Sequence, residues 1–362
     1  MDNLFADIVF FMYLCSAKCK VKYKEQYMHA MNNIHFYTLI GNGGMRLEVT
    51  NYGAKLTRWL VPDATGEVKD VLLGFNTLDE WLTKEVYFNG VCGRTAGRIA
   101  NAEFTLDGTT YHLAQNSGGH SLHGGVHGFN DKVWDVMAQD MHSITLRYRS
   151  ADGEEGFPGN LEVQVRYQLR RDNALSIQYR AKTDAPTIIN LTNHAYFNLK
   201  GEGEGDILDH SLQVFADEFI PYNADTLPTG EVAKVEGTPM DFREEVVIGD
   251  RIDDPFFASG RGIDNGWVLP GWDTGKHTLQ KAAVLKGGTR TMEVWTDCPC
   301  MQVYTGNYVE QNIGKSGRTY DVQTAVCLEA EDFPDAIHHD KFPSPILRPG
   351  DKWHRETVYK FV

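Results

Sequence analysis

Residues 161–170 read LEVQVRYQLR, and every odd position in this stretch is apolar while every even position is polar. Successive side chains of a β-strand point to opposite faces, so a period of two predicts a strand with one buried and one solvated face. The same alternation runs through residues 143–149 before it and residues 175–179 after it. Turn residues such as Asp172-Asn173 separate these stretches. The sequence therefore predicts a meander of three antiparallel strands.

Strand signals of this kind, bounded by turn residues, continue along the rest of the chain. A hairpin is predicted over residues 104–113, because Asp107-Gly108 is a dipeptide favoured in tight two-residue turns. Helix is scarce, and the best candidate is a short segment where Thr77 and Glu80 have capping-box spacing. So many strands predict an all-β fold, a large antiparallel β-sandwich built from two stacked sheets.

The chain is interpreted as one domain, because no Pro/Ser-rich or low-complexity linker divides its 362 residues. We expect this domain to cover residues 33–362 and residues 1–32 to be an N-terminal extension outside the fold. The apolar run at 8–15 is too short to span a bilayer, and lysines follow it rather than precede it as in a signal peptide. A cytoplasmic location is expected, with an export segment as the alternative.

The composition disfavours several classes of partner. A formal net charge of −14 repels the phosphates of nucleic acid and anionic membrane surfaces. A small neutral substrate is easier to accommodate, and a monomer or weak homodimer is expected. The six cysteines show no paired spacing typical of zinc ligands, so they are interpreted as reduced structural thiols.

Two glycine-rich motifs carry the first candidate site residues. GRTAGRI contains Arg98, and SLHGG, about two dozen residues later, contains His123. Glycines beside an arginine and a histidine allow backbone and ligand to approach closely. Histidines at 120, 123 and 127 suggest a metal site as an alternative. The glycines between them would break a helix that gathered the rings, and no acidic ligand of defined spacing accompanies them, so we expect no metal.

Further polar residues fall in short motifs between strands. TNHAYFNL contains His194, CLEAEDFPDA contains Glu329, GIDN contains Asp264 and MQVYTGN contains Gln302. Taken singly, His194 is better explained as a hydrogen-bonded core histidine, and Glu329 as one member of a surface acidic run. These motifs are informative about function only when they are considered together.

The six motifs occur in a fixed order, and residues 33–362 resemble the aldose 1-epimerase, or galactose mutarotase, family. The resemblance implies a β-supersandwich fold and cofactor-free interconversion of the α and β anomers of free aldohexoses such as galactose and glucose. It implies these roles: general base for Glu329, general acid for His194, companions around the sugar ring for His123 and Arg98, and hydroxyl binding for Asp264 and Gln302. Two positions depart from the usual pattern, since His120 and Gly97 each stand where asparagine is common.

The chemistry of ring opening suits these residue types. A proton must leave the C1 hydroxyl while another reaches the ring oxygen, which one carboxylate and one protonated imidazole can accomplish. Reference pKa values of ~4.3 for Glu and ~6.5 for His leave a window in which Glu329 is ionised while His194 is protonated. Arg98 and His123 can stabilise charge developing on the ring oxygen. Aromatic neighbours such as Tyr196 are expected to supply an apolar platform for the sugar.

Three other functions remain open from the sequence. A glycoside hydrolase would need two acids flanking the scissile bond, whereas the strongest partner for Glu329 is a histidine. A noncatalytic carbohydrate-binding module on the same scaffold would not require both Glu329 and His194. A hexose-6-phosphate 1-epimerase would need additional basic residues at the site, and the sequence shows no obvious cluster of them.

Overall fold

The computed structural model describes residues 33–84, 87–275, 277–309 and 311–362. The N-terminal extension expected over residues 1–32 lies outside these ranges. Within them, no helix is both long enough and apolar enough to cross a membrane.

The largest sheet has nine strands, and every neighbouring pair in it is antiparallel. It contains the predicted meander, in which Val165 lies opposite Leu146 on one side and Tyr179 on the other. Burial alternates residue by residue along the central strand of this meander, as the period of two predicts. In spatial order the strands are Asp135–Gln139, Ser143–Ser150, Leu161–Leu169, Ala174–Thr183, Trp353–Phe361, Arg290–Thr296, Gln280–Gly287, Ser211–Val214 and Val246–Val247.

Two smaller antiparallel sheets accompany it. The four-stranded sheet consists of Phe36–Ile40, Arg46–Thr50, Leu56–Pro62 and Val68–Asp70. The five-stranded sheet consists, in spatial order, of Ala233–Lys234, Glu218–Ile220, Asp264–Val268, Cys300–Tyr304 and Cys327–Glu331.

Short elements connect these sheets. The strand pairs are Thr187–Ile188 with Ile346–Leu347, Thr192–Asn193 with Val91–Cys92, Asn312–Ile313 with Thr319–Tyr320, Arg98–Ile99 with Ser121–Leu122, and Glu103–Leu106 with Thr109–His112. Among the described residues, the α-helix is Leu78–Thr83. The 3₁₀ turns are Asn42–Gly44, Ala100–Ala102, Phe129–Asp131, Glu154–Gly156, Ile248–Asp250, Pro255–Gly260, Trp272–Thr274 and Ala336–His338.

The local sequence signals for the hairpin and the helix are confirmed. In the hairpin, Asp107 and Gly108 have φ values of 50° and 80°, and a positive φ at both central residues is what a type I′ two-residue turn requires. At the helix, the Thr77 hydroxyl accepts a hydrogen bond from the Glu80 amide, and the Glu80 carboxylate accepts one from the Thr77 amide. This reciprocal pair satisfies two amides that the first helical turn leaves without partners.

One hydrophobic core joins the three larger sheets. The ring of Trp59 in the four-stranded sheet packs 5.2 Å from that of Phe361 in the nine-stranded sheet. From the latter sheet, Tyr359 Oη also donates a 2.7 Å hydrogen bond to the carbonyl of Leu328 in the five-stranded sheet. The predicted antiparallel β-sandwich is therefore confirmed, with its second layer divided between the two smaller sheets.

The strand Cys327–Glu331 is buried on both faces, unlike the half-solvated strands of the meander. Leu328 and Ala330 point into the shared core. Because side chains alternate along a strand, Glu329 and Glu331 point to the opposite face. That face forms the floor of the candidate site.

Candidate active site

A cavity of about 420 Å³ lies on this face of the five-stranded sheet, and its volume is typical of small-molecule sites. The structure brings all the sequence-predicted site residues to its wall: Glu329, His194, His123, Arg98, Asp264, Gln302 and Tyr196. They come from six separate parts of the chain, so only the tertiary fold places them together.

Strand register builds the floor of the cavity. Gln302 lies directly opposite Glu329 on one side and Gly266 on the other. Directly opposed residues of antiparallel strands share a face, so the side chains of Gln302 and Glu329 emerge together. By the same rule Asp264 emerges beside Tyr304, its register partner. Three neighbouring strands thus present their polar groups to one ligand.

A hydrogen-bond relay orients the floor. Tyr222 Oη donates to Gln302 Oε1 at 2.9 Å, and Gln302 Nε2 donates to Asp264 Oδ1 at 2.7 Å. Gly266 leaves room for this arrangement, because a Cβ there would lie 3.1 Å from Tyr222 Oη. Burial raises the pKa of Asp264, although Arg98 and the Gln302 amide oppose the shift. The relay fixes the Gln302 side chain between a donor and an acceptor.

His194 faces Glu329 across the cavity, with Nε2 3.6 Å from Oε1 of the carboxyl group. Its ring stacks on Tyr196 at a centroid distance of 4.8 Å and meets Tyr304 edge-on at 5.8 Å. Its backbone amide donates to the carbonyl of Gly90 at 3.0 Å, which holds the residue at the end of its strand. Nδ1 is buried, and no described residue supplies a hydrogen bond to it. The ring is therefore positioned by packing, with Nε2 directed at the carboxyl group.

Burial decides where the proton of this pair lies in the free protein. Desolvation lowers the pKa of His194 to about 3. Desolvation, reinforced by Glu331 and Asp264, raises the pKa of Glu329 well above its usual value. The attraction between opposite charges does not offset the cost of desolvating both, so a neutral imidazole beside a protonated carboxyl is favoured. Burial therefore opposes the ionised Glu329 and the protonated His194 that reference pKa values favour.

His123 and Arg98 come from two loops that are tied together by pairing of Arg98 with Leu122. His123 Nδ1 accepts a 3.3 Å hydrogen bond from the Gly97 amide, so the neutral ring carries its proton on Nε2. Desolvation, with the positive charge of neighbouring groups, lowers the pKa of His123 well below its usual value. This residue can therefore donate a hydrogen bond from a neutral ring. The glycine at 124 is required here, because a Cβ would lie 2.0 Å from the Gly93 carbonyl oxygen.

The histidines of the alternative metal site each have a different partner. His120 Nδ1 accepts from the Asn101 amide at 3.0 Å, His123 contacts Gly97, and His127 Nδ1 lies 2.7 Å from Asp131. Another set of potential metal ligands does converge in the described chain, with ligand atoms within 4.8 Å of one another: His194, Cys327 and Glu329.

Several residues that line the cavity were not identified from the sequence: Tyr87, Tyr222, Tyr308 and Glu331. Glu331 could have been found, because it lies two positions from Glu329 and therefore shares its face. Tyr222 gives no such signal, since its place depends on how distant strands pair. Of the two departures from the family pattern, Gly97 lines the cavity, whereas His120 caps the Asn101 turn.

Comparison with known protein families gives a match over nearly the whole domain. The family model for aldose 1-epimerase matches residues 35–360. The galactose mutarotase of Bos taurus is 40% identical over 319 residues, which cover 88% of this chain and 91% of the relative. The aldose 1-epimerase of Escherichia coli K12 is 34% identical over 329 residues, covering 90% of this chain and 94% of the relative.

Solved structures give the same relationship. An aldose epimerase homologue from C. elegans superposes with a TM-score of 0.83 at 29% identity, covering 91% of this chain and 99% of its own. A galactose 1-epimerase from Lactobacillus acidophilus superposes with a TM-score of 0.78 at 28% identity, covering 91% and 98%. The similarity therefore spans the sandwich and its cavity together.

Proposed function

The chain belongs to the aldose 1-epimerase family and is an isomerase of that class, and we propose that it acts on free aldohexoses such as galactose and glucose. The choice of His194 and Glu329 as catalytic groups rests on one observation: His194 Nε2 lies 3.6 Å from Glu329 Oε1 inside a cavity of about 420 Å³. We further propose that the protein acts in the cytoplasm as a monomer or weak homodimer, as the sequence predicts.

Ring opening needs two proton transfers at opposite ends of the C1–O5 unit. Glu329 removes the proton from the C1 hydroxyl, and His194 delivers a proton to the ring oxygen as the C1–O5 bond breaks. Rotation about C1–C2 and closure on the other face of the aldehyde, with both transfers reversed, gives the second anomer. Arg98 and the Nε2 hydrogen of His123 stabilise the charge that develops on the ring oxygen.

The active state of this pair holds one proton between its two members. In the free protein, burial favours that proton on Glu329, whereas the reaction requires it on His194. Moving the proton from one residue to the other leaves the total charge of the pair unchanged. Both arrangements therefore belong to one protonation state of the pair. Gain of a second proton removes the base, and loss of the only proton removes the acid.

The charges around the cavity favour a neutral sugar over a sugar phosphate. Three carboxyl groups line it, at Asp264, Glu329 and Glu331, whereas Arg98 is the single lysine or arginine on the described wall. A dianionic phosphate would find Arg98 as its one permanently charged partner there. Asp264 and Gln302 instead offer the acceptor and the donor that sugar hydroxyls require. This distribution argues against a hexose-6-phosphate 1-epimerase.

Polarimetry tests the proposal directly. Freshly dissolved α-D-galactose and α-D-glucose should approach their equilibrium rotation faster with the protein than without it, and α-D-glucose 6-phosphate should respond weakly. Catalysis confined to the phosphorylated sugar would replace this proposal with the phosphate-specific one. Release of reducing sugar from a galactoside, without acceleration of mutarotation, would indicate a glycosidase.

A further inference from the structure

Glu331 is a second carboxyl group on the cavity floor, two residues beyond Glu329 on the same strand face. Its side chain is buried, with the residue 2% exposed. The proton transfers described above require one carboxyl group, which they find in Glu329. Glu331 therefore has no role in those steps, although it lies in the same cavity.

The hydrogen-bond partners of Glu331 are sparse for a buried acid. Asn190 Nδ2 donates to its Oε2 at 3.4 Å, and this amide also contacts two backbone carbonyls. The next residue, Asp332, is equally buried but receives two hydrogen bonds from Arg355 and one from Trp353. No described cation forms a salt bridge with Glu331. An ionised carboxylate is costly in such a place, whereas a protonated carboxyl is stable and can donate a hydrogen bond.

The cavity side of this carboxyl group is open. Gly97 lies above it, and a Cβ at that position would stand 4.0 Å from Glu331 Oε1 and 2.7 Å from Pro334 Cβ. A larger residue would therefore crowd Pro334 and narrow the space beside the carboxyl group. With glycine at 97, a ligand hydroxyl can approach Oε1.

We propose that Glu331 is a substrate-binding residue that keeps its proton at neutral pH and donates a hydrogen bond to a hydroxyl group of the bound sugar. The identity of the ligand rests on the proposed function, but the protonation of Glu331 does not. A neutral carboxylic acid in an apolar site is an established way to place a strong hydrogen-bond donor at pH 7.

The electrostatic surroundings agree with this role. Burial, reinforced by Asp332 and Asp264 and opposed by the Asn190 amide, raises the pKa of Glu331 to about 8. The titratable and charged groups that surround it on its own and neighbouring elements are Cys92, Arg98, Tyr222, Asp264, Cys300, Glu329 and Asp332. Among these groups Arg98 is the only permanent cation, and its interactions favour the charged form of Asp264.

Carbon-13 NMR of protein labelled with [5-¹³C]glutamate tests the protonation. A carboxyl resonance should titrate with a midpoint near pH 8, should vanish in Glu331→Gln, and should persist in Glu329→Gln. If protonated Glu331 binds D-galactose ten times more tightly than ionised Glu331, saturating sugar will raise that midpoint by about one pH unit. A Glu331 resonance that titrates at the ordinary value near 4.5 would overturn the proposal. A titration midpoint that does not change when galactose is added would also overturn it.

Steady-state kinetics test the hydrogen bond itself. At pH 7, Glu331→Ala should raise KM for galactose about tenfold, whereas Glu331→Gln, which keeps an N–H donor, should stay near the wild-type KM. Equal KM values for the wild type and Glu331→Ala would contradict the proposal, even if both proteins are active. A wild-type protein that accelerates no mutarotation would instead contradict the proposed function, and the sugar-free NMR titration would still decide whether Glu331 holds its proton.

Discussion

Acidic residues on the outer face of the nine-stranded sheet and those on the cavity floor sit in similar antiparallel strands but behave in opposite ways. Glu162 lies 3.0 Å from Arg149 and 3.2 Å from Lys182. Desolvation would raise its pKa, but hydrogen bonds from these two cations outweigh that effect and lower it. Among the described residues no lysine or arginine forms a salt bridge with Glu329, and burial together with neighbouring carboxyl groups raises its pKa well above the usual value.

The difference shows that strand geometry does not decide what an acid does in this fold. What decides it is whether a cation shares its face and whether water reaches it. Paired acids remain ionised through the neutral range and contribute to solubility and local stability. Acids without a paired cation retain their protons to higher pH, so they can exchange them under conditions where the protein works.

The largest effect should come from the acid at the centre of the cavity. Glu329→Gln is expected to reduce kcat for mutarotation by about 10²–10⁴-fold, because it removes one of the two proton carriers. Glu162→Gln is the matched control from the outer sheet, and its kcat should equal that of the wild type. Polarimetric assays of both variants, with circular dichroism to verify folding, measure the contrast. A Glu329→Gln protein with near-normal kcat would remove this residue from the mechanism.

A change in stability should separate a paired buried acid from an unpaired one. Asp332→Asn leaves the guanidinium of Arg355 buried with one partner lost, and the free energy of unfolding is expected to fall by about 3–5 kcal/mol. Glu329→Gln removes no ion pair with a permanent cation, so its stability should remain close to that of the wild type. Denaturant unfolding of the two variants measures this difference. Equal losses would show that both acids serve mainly to hold the fold.

A smaller effect is expected for the sugar-binding acid. Asp264→Ala should raise KM by roughly tenfold or more, because it removes an acceptor that is used in the ground state and the transition state alike. Asp135→Ala, at an exposed acid paired with Arg147, should leave KM unchanged. Initial rates over a range of galactose and glucose concentrations give the comparison. An unchanged KM for every sugar in the Asp264 variant would count against its place in the site.

The parts of the fold that follow from neighbouring residues were predictable from the sequence. Alternation identified the meander, Asp107-Gly108 identified a hairpin turn, and Thr77 with Glu80 identified the helix start, since each signal is local. The division of the second layer into two sheets was not predictable, because it depends on strands that pair across long separations in sequence.

Some features of the site were likewise predictable from the sequence and others were not. The motif residues were predictable through the family resemblance, and their convergence on one cavity agrees with it. The Tyr222 hydroxyl was missed, because its contact with Gln302 joins residues 80 positions apart. The pKa shifts of Glu329 and His194 were not predictable, since burial causes them and a sequence motif carries no information about desolvation.

The pH dependence of kcat at saturating galactose tests the central claim most directly. Glu331 affects the binding of the sugar, so its titration should change KM and leave kcat at saturating galactose unaffected. The wild type should give a bell-shaped profile. These limbs report the sugar complex, in which the bound sugar keeps water away from both groups. The acid limb should therefore lie below the usual pKa of histidine, because burial lowers the pKa of His194, and the basic limb above the usual pKa of glutamate, because burial raises the pKa of Glu329. In His194→Asn the residual rate should rise with pH as Glu329 ionises and should show no basic limb. If the basic limb is unchanged in this variant, a residue other than His194 is the general acid, and the proposed mechanism is contradicted.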